Sequence, residues 1–311
     1  MQRKVMSAYY FSIAVFAANE GALIGSCIDS IDRACVGYST HISVLLNGTS
    51  DLSEQLLRQI SLKNADLTVY IFDVADKANV INNFFHDLRP EAKFYFCIDG
   101  YVRIGEGSLR AMDRAFADHS EAVIASAVPV TGRSAAVVHA ETVKGGVTNG
   151  QFYGLRQTFV ARLVAAGIRL PLQHYRVDGL LGSMAAHDLD ATGRPWNRAR
   201  IIGAPGATFA IKPLSIFKMS DIKRQYIREI RQARGLMENE AIKSIIYKDG
   251  YAALPYNSND MIETWLATNR PQARSLREHY FLSKAKKNLR VPRIKSSTYR
   301  TRFDKIRMKE D

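Results

Sequence analysis

The chain has 311 residues, 47% of them hydrophobic, and carries a net charge of +13 from 43 Lys and Arg against 30 Asp and Glu. That fits one large domain with an appendage and enough apolar side chains to fill a core. No apolar run approaches the roughly 18–20 residues of a membrane span. The three cysteines, Cys27, Cys35 and Cys97, lack CxxC spacing and read as free thiols of a reducing, cytoplasmic compartment. The positive balance suits an anionic partner: a nucleotide diphosphate, a phosphorylated acceptor, acidic lipid or nucleic acid. In the opening MQRKVMSAYYFSIAVFAANE, the apolar stretch is short and contains Ser12. It ends in Asn19-Glu20, so it predicts a first strand rather than a signal peptide.

That strand is Phe11–Ala17, and Leu23, Ile24, Cys27, Ile28 and Ile31 then recur at helical spacing. His41–Leu46 predicts a second strand, stopped by the turn Asn47-Gly48-Thr49-Ser50-Asp51. Asp51 and Glu54 have the spacing of a capping box for a helix carrying Leu56, Leu57 and Ile60. Leu67–Phe72 predicts a third strand. Ile81, Phe84, Phe85 and Leu88 mark one face of the next helix, with Pro90 after it. In KFYFCIDGYVRI, Lys93–Ile104, the apolar run Phe94–Ile98 stops abruptly at Asp99-Gly100, as a buried strand does when its C-terminal end opens onto a crevice. A helix with Leu109, Met112 and Phe116 follows, and Ala122–Val130 is a fifth apolar strand. Strand–helix alternation with short connections implies right-handed crossovers: an α/β fold with a Rossmann-like, mainly parallel sheet flanked by helices.

Thr131–Asn149, rich in Gly, Ser and Thr, predicts a loop or an excursion at the sheet edge. Thr158–Ala166 predicts a helix closed by Gly167 and Pro171. Arg176–Leu189 carries Asp178 and then a short apolar segment, while Arg194–Gly206, with two prolines, reads as a loop. Asp221–Ile246 predicts a long amphipathic helix, or a pair interrupted near Gly235. Ser283–Asp311 holds eleven Lys or Arg and three acids. The expected organisation is a catalytic domain over 1–215, a helical C-terminal region over 216–282 and a basic tail over 283–311.

The order of these features resembles the family 2 glycosyltransferases of the GT-A fold, over about Phe11–Leu189. The features are Asn19-Glu20 after strand one, the Asn47–Asp51 turn after strand two, an Asn-rich helix start (Lys77-Ala78-Asn79, then Asn82-Asn83), a carboxylate ending strand four and an acid at 178. The resemblance implies transfer of one sugar from a nucleotide-diphosphate sugar to an acceptor hydroxyl, with inversion. It makes Asn19, Glu20, Asn47, Lys77, Asn79, Asp99 and Gly100 donor-binding. The family's Asp-x-Asp is reduced to Asp99-Gly100-Tyr101, so Asp99 alone is expected to hold Mg²⁺ or Mn²⁺ on the diphosphate. Val177-Asp178-Gly179-Leu180-Leu181 stands where the family keeps its base, which makes Asp178 the expected general base, with Asp188 and Asp190 as the fallback. Tyr153 and Arg156 fall where the family shapes the acceptor pocket, for a glycan, lipid-linked or small-molecule acceptor. A turn residue at Asp99 and a helix cap at Asp178 are the structural alternatives.

No Gln-x-x-Arg-Trp motif of processive synthases is present, which points to single-sugar transfer. The basic tail predicts peripheral contact with an anionic membrane surface. The charge comes without an RNP-type aromatic pattern, zinc spacing or helix-turn-helix signal, so no specific nucleic-acid partner is expected. Two other readings stand beside the transferase. One is a related sugar nucleotidyltransferase, although Asn19-Glu20-Gly21 lacks that class's Gly-rich basic loop. The other is a glycosyltransferase-like binding scaffold with reduced activity.

Overall fold

The computed structural model describes residues 9–132, 134–212, 219–289 and 303–307. The first half alternates strand and helix: β1 (Tyr9–Ala17), α1 (Ile24–Ala34), β2 (Thr40–Asn47), α2 (Ser53–Leu57), β3 (Asp66–Phe72), α3 (Lys77–Asn83) and β4 (Ala92–Asp99). A π-helical turn, Phe84–Leu88, joins α3 to β4. β5 (Arg103–Ile104), α4 (Ser108–Asp118), β6 (Ile124–Pro129), α5 (Ala135–Val143), β7 (Phe152–Arg156), α6 (Gln157–Ala165), α7 (Val177–Ala186) and β8 (Ile201–Ala210) follow. The C-terminal part is α8 (Met219–Asp249), α9 (Ser258–Thr268), α10 (Leu276–Leu289) and β9 (Phe303–Arg307).

Among the described residues the strands form one sheet in the order β5-β8-β6-β7-β4-β1-β2-β3-β9. β1 pairs in parallel with β2 on one side and β4 on the other, and β2 with β3. β7 is antiparallel to both β4 and β6, β8 runs parallel to β6, and the edge strands β5 and β9 are antiparallel to their neighbours. The chain moves outward from β1 through β2 to β3, then returns through α3 to β4 on the far side of β1. Strand order reverses there, so the carboxyl ends of β1 and β4 border the crevice in which open α/β sheets bind ligands.

Period-two alternation feeds two cores. Phe11, Ile13 and Val15 of β1 and Phe94, Phe96 and Ile98 of β4 join α1 and α4 on one face. Ala14, Phe16, Tyr95 and Cys97 join α3, α6, α7 and α8 on the other. A third, smaller core, with Met237, Ile262, Leu282 and Leu289, binds α8, α9 and α10 together.

Several sequence expectations change here. The 131–149 stretch contains α5 rather than only loop, and Arg194–Gly206 gives way to β8. β8 carries Pro205 beside a register shift opposite Ala127 and Val128, the kind of irregularity at which a strand tolerates proline. α8 passes through Gly235 without a break. A Cβ there would meet Arg176 Nε at 2.7 Å, so this glycine makes room for a side chain crossing the helix. Asp51 and Glu54 make no capping box: Asp51 accepts from the Ser53 and Gly21 N–H groups, and Glu54 pairs with Arg58. The boundary expected near residue 215 lies outside the described residues, as does most of the basic tail. Within the tail's range, α10 runs on to Leu289 and Phe303–Arg307 pairs with β3.

Candidate functional site

Three charged side chains converge at the crevice. Asp99 ends β4, in register with Phe16 of β1. Lys77 opens α3, whose N-cap, Asp76, accepts from the Ala78 and Asn79 N–H groups. Asp178 sits in the first turn of α7, an acidic position that suits the positive end of the helix. Its carboxylate lies so close to the main chain at Gly150 that a Cβ there would stand 2.6 Å from Oδ2.

Lys77 Nζ donates to Asp99 Oδ1 at 2.5 Å, and the Tyr101 hydroxyl donates to Asp99 Oδ2 at 2.8 Å. Gln151 Nε2 in turn donates to the Tyr101 oxygen at 3.4 Å. The ammonium also lies 5.4 Å from the centre of the Phe16 ring. Burial works against the Lys77 charge, but Asp99 outweighs it and Asp178 adds to the effect, so its pKa rises above the ordinary lysine value. The Tyr101 phenol is pushed up by burial and then by Asp99, with Glu20 contributing, which puts Glu20 in the same neighbourhood. Gly100 is needed for close approach, because a Cβ would stand 2.7 Å from Ala17 Cβ, and its N–H donates to Phe16 O at 2.8 Å.

The expected nucleotide residues divide into two groups. Asn19, exposed and at φ 58°, accepts from the Ser50 N–H at 2.8 Å and ties the β1 and β2 loops together beside the crevice. Asn47 is buried, and its carbonyl oxygen accepts from the Asp76 N–H at 2.7 Å, so it holds the cap of α3. Asn79 is also buried and accepts from Asn83 within the helix. These two place Lys77 more than they present polar edges to solvent.

Tyr153 is 1% exposed and lies beneath the site. Burial pushes its phenol well above the ordinary value, with Cys97 and then Asp178 and Asp99 adding. Arg156 is at the other end of the sheet, opposite Phe94, where it donates to the carbonyls of Phe116 and Ala122 and lies over the Phe116 ring. Arg156 therefore stands away from Asp178, whereas Tyr153 underlies the site as a buried side chain. The fallback acids are committed elsewhere: Asp188 is held by Arg162, Arg194 and Arg200, and Asp190 caps Thr192 and Gly193. Burial raises the Asp188 pKa, but Arg162 and the other two cations outweigh it, leaving it below the ordinary carboxylate value.

Sequence reading missed the residues that hold Asp178 in place. Glu238 of α8 accepts from the Tyr175 N–H at 3.1 Å, Ser258 Oγ at 3.0 Å and Arg234 Nε at 2.8 Å, and lies 3.1 Å from His174 Nδ1. Asp76 Oδ2 accepts from the Gln173 N–H at 2.7 Å. The 173–175 loop that leads into α7 is thus anchored from both the sheet side and the helical side.

Among the described residues no group of three or more His, Cys, Asp or Glu side chains has the arrangement of a metal site. At the position expected to bind a divalent cation, the second acid is replaced by Tyr101, and both oxygens of Asp99 are engaged, one of them by an ammonium. As arranged, these residues do not fit Mg²⁺ or Mn²⁺ on Asp99. No described helix is long and apolar enough to cross a membrane.

No family model and no curated protein matches the chain in sequence. Among solved structures it is similar to the mannosyltransferase PcManGT from Pyrobaculum calidifontis in complex with GDP-Man and Mn²⁺. The TM-score is 0.56 at 15% identity, over 91% of this chain and 81% of that one. It is also similar to S. aureus TarS 1-349 in complex with UDP-GlcNAc, with a TM-score of 0.52 at 12% identity, over 90% and 80% of the two chains. A second structure of TarS 1-349 gives 0.53 at 13% identity. Identities this low speak to fold: the chain has the α/β, mainly parallel, helix-flanked architecture of these glycosyltransferases.

Proposed function

We propose that the chain is a glycosyltransferase that moves one sugar from a nucleotide-diphosphate sugar to an acceptor hydroxyl, with inversion. The observation that carries this reading is the convergence of Asp99, Lys77 and Asp178 at the carboxyl ends of β1 and β4, where strand order reverses. The solved neighbours were captured with GDP-Man and with UDP-GlcNAc, which supports a donor of that class in this crevice. The diphosphate then faces Lys77, with the nucleoside toward Asn19 and Glu20.

Asp178 accepts the acceptor's hydroxyl proton as its oxygen attacks the anomeric carbon. The bond to the leaving phosphate oxygen breaks on the opposite face, and its electron pair stays on the diphosphate. A carboxylate within hydrogen-bond reach of the attacking hydroxyl suffices for this role. With Asp188 and Asp190 held in their own networks, Asp178 is the remaining candidate of the three. The excess positive charge supports peripheral association with an anionic surface as part of the same proposal.

Thermal shift with UDP, GDP, CMP and dTDP, each with and without Mn²⁺, tests the donor assignment. Stabilisation by at least one nucleotide is expected, and none at saturating concentration would overturn it.

A further inference from the structure

We propose that Lys77, rather than a divalent cation on Asp99, bears the charge of the donor's diphosphate. The inference rests on the donor reading above and concerns how that donor is held. The end of β4 is built around an ammonium. One oxygen of Asp99 is bonded to Lys77, and the other accepts from Tyr101, a hydroxyl donor standing where a second metal-binding acid would be. A metal entering on Asp99 would either share Oδ1 with the ammonium already there or displace the Tyr101 hydroxyl from Oδ2.

Lys77 is also equipped to take over the role. An ammonium has three N–H donors, and Asp99 takes one of them. Its other recorded contact among the described residues is the Phe16 ring, which leaves two donors for phosphate oxygens. The Lys77 side chain is 30% exposed and the Asp99 side chain 14%, so the pair borders the crevice. Lysine serves as a phosphate binder as a point charge. It can bridge Asp99 and the diphosphate without giving up its existing partner. Asp99 and Asp178 keep it protonated, and Asp76, through the cap of α3, fixes where it starts. As the glycosidic bond breaks, the electron pair left on the diphosphate oxygen is met by this charge.

Isothermal titration with UDP and with GDP, in excess chelator and in Mn²⁺, provides the test. Wild-type affinity for the nucleotide that binds is expected to agree within a few-fold between the two conditions. Lys77→Met in chelator is expected to bind about 10–100-fold more weakly, the loss of one charge-assisted hydrogen bond. Lys77→Arg, which keeps the charge, should stay within a few-fold. Binding by wild type only when Mn²⁺ is present would overturn the inference and leave the donor reading standing. So would wild-type affinity of a folded Lys77→Met in chelator. Absence of binding under both conditions would overturn both. If Lys77→Met does not fold, the wild-type comparison decides alone.

Discussion

Glu238→Gln removes a charge that holds the candidate base's loop and leaves the side chain's shape intact. Glu238 has no exposed surface and gathers Arg234, Ser258, the Tyr175 N–H and His174. Burial raises its pKa, but His174 and then Arg234 outweigh burial and hold it at about 2. An unfolded glutamate titrates near 4.3. Because the folded value is the lower one, the ionised carboxylate stabilises the fold fully above about pH 4.3. That contribution is lost as the pH falls toward 2. The difference is worth about 3 kcal/mol, fading by about 1.4 kcal/mol per pH unit inside that window. At pH 7 the variant should therefore melt roughly 5 °C below wild type. Melting curves of both proteins from pH 7 to pH 3 are the assay, and the gap should narrow steadily below about pH 4.3. A gap of the same size at pH 7 and pH 3 would refute the reasoning, and so would no gap at pH 7.

Other consequences follow from backbone contacts. Gly154→Ala would place a Cβ 2.5 Å from Phe96 Cε1 in the core, so calorimetry should show a loss of about 1–3 kcal/mol from overpacking. Gly25→Ala, in α1 with nothing within 4 Å of the new methyl, should instead stabilise by about 0.5–1 kcal/mol. Arg156→Met should destabilise by about 2–3 kcal/mol through lost hydrogen bonds to Phe116 and Ala122. Because Arg156 stands at the far end of the sheet, nucleotide affinity by titration should stay within a few-fold of wild type.

The parallel half of the fold was legible because its strands are continuous apolar runs. Buried on both faces, β1, β2, β3 and β4 each end at polar residues, and the expected strands match within one or two residues. β7 and β8 were not legible. β7 is five residues with Gly154 at its centre, and that glycine is there because the Phe96 ring presses on it from β4. β8 reads as a loop because of Gly203, Pro205 and Gly206. Yet a Cβ at Gly203 would stand 2.3 Å from Thr142 O, so tertiary packing of α5 selects a residue that local propensity penalises.

At the site, sequence order alone brought forward Asp99, Lys77 and Asp178, but not their relation. The Lys77–Asp99 pair spans 22 residues and two elements, and only the return of the chain across β1 makes it. One signal was present in the sequence: a lysine opening the helix before a strand whose Asp-x-Asp had become Asp-Gly-Tyr. Tyr153 and Arg156 were drawn to the acceptor side by the resemblance alone, because nothing in the sequence marked β7 as a strand. On an antiparallel strand, Arg156 is carried about 13 Å away from the crevice over four residues at roughly 3.3 Å each.

The most direct test of the central claim is the release of nucleoside diphosphate from UDP-sugars and GDP-sugars by wild type and Asp178→Asn, with donor affinity measured on the same samples. Loss of a general base typically costs about 10²–10⁴-fold in rate. The account predicts a fall in turnover of that order with donor affinity unchanged within a few-fold, because Asp178 acts on the acceptor side. Turnover of Asp178→Asn within a few-fold of wild type would contradict it, as would a bound donor that wild type never cleaves.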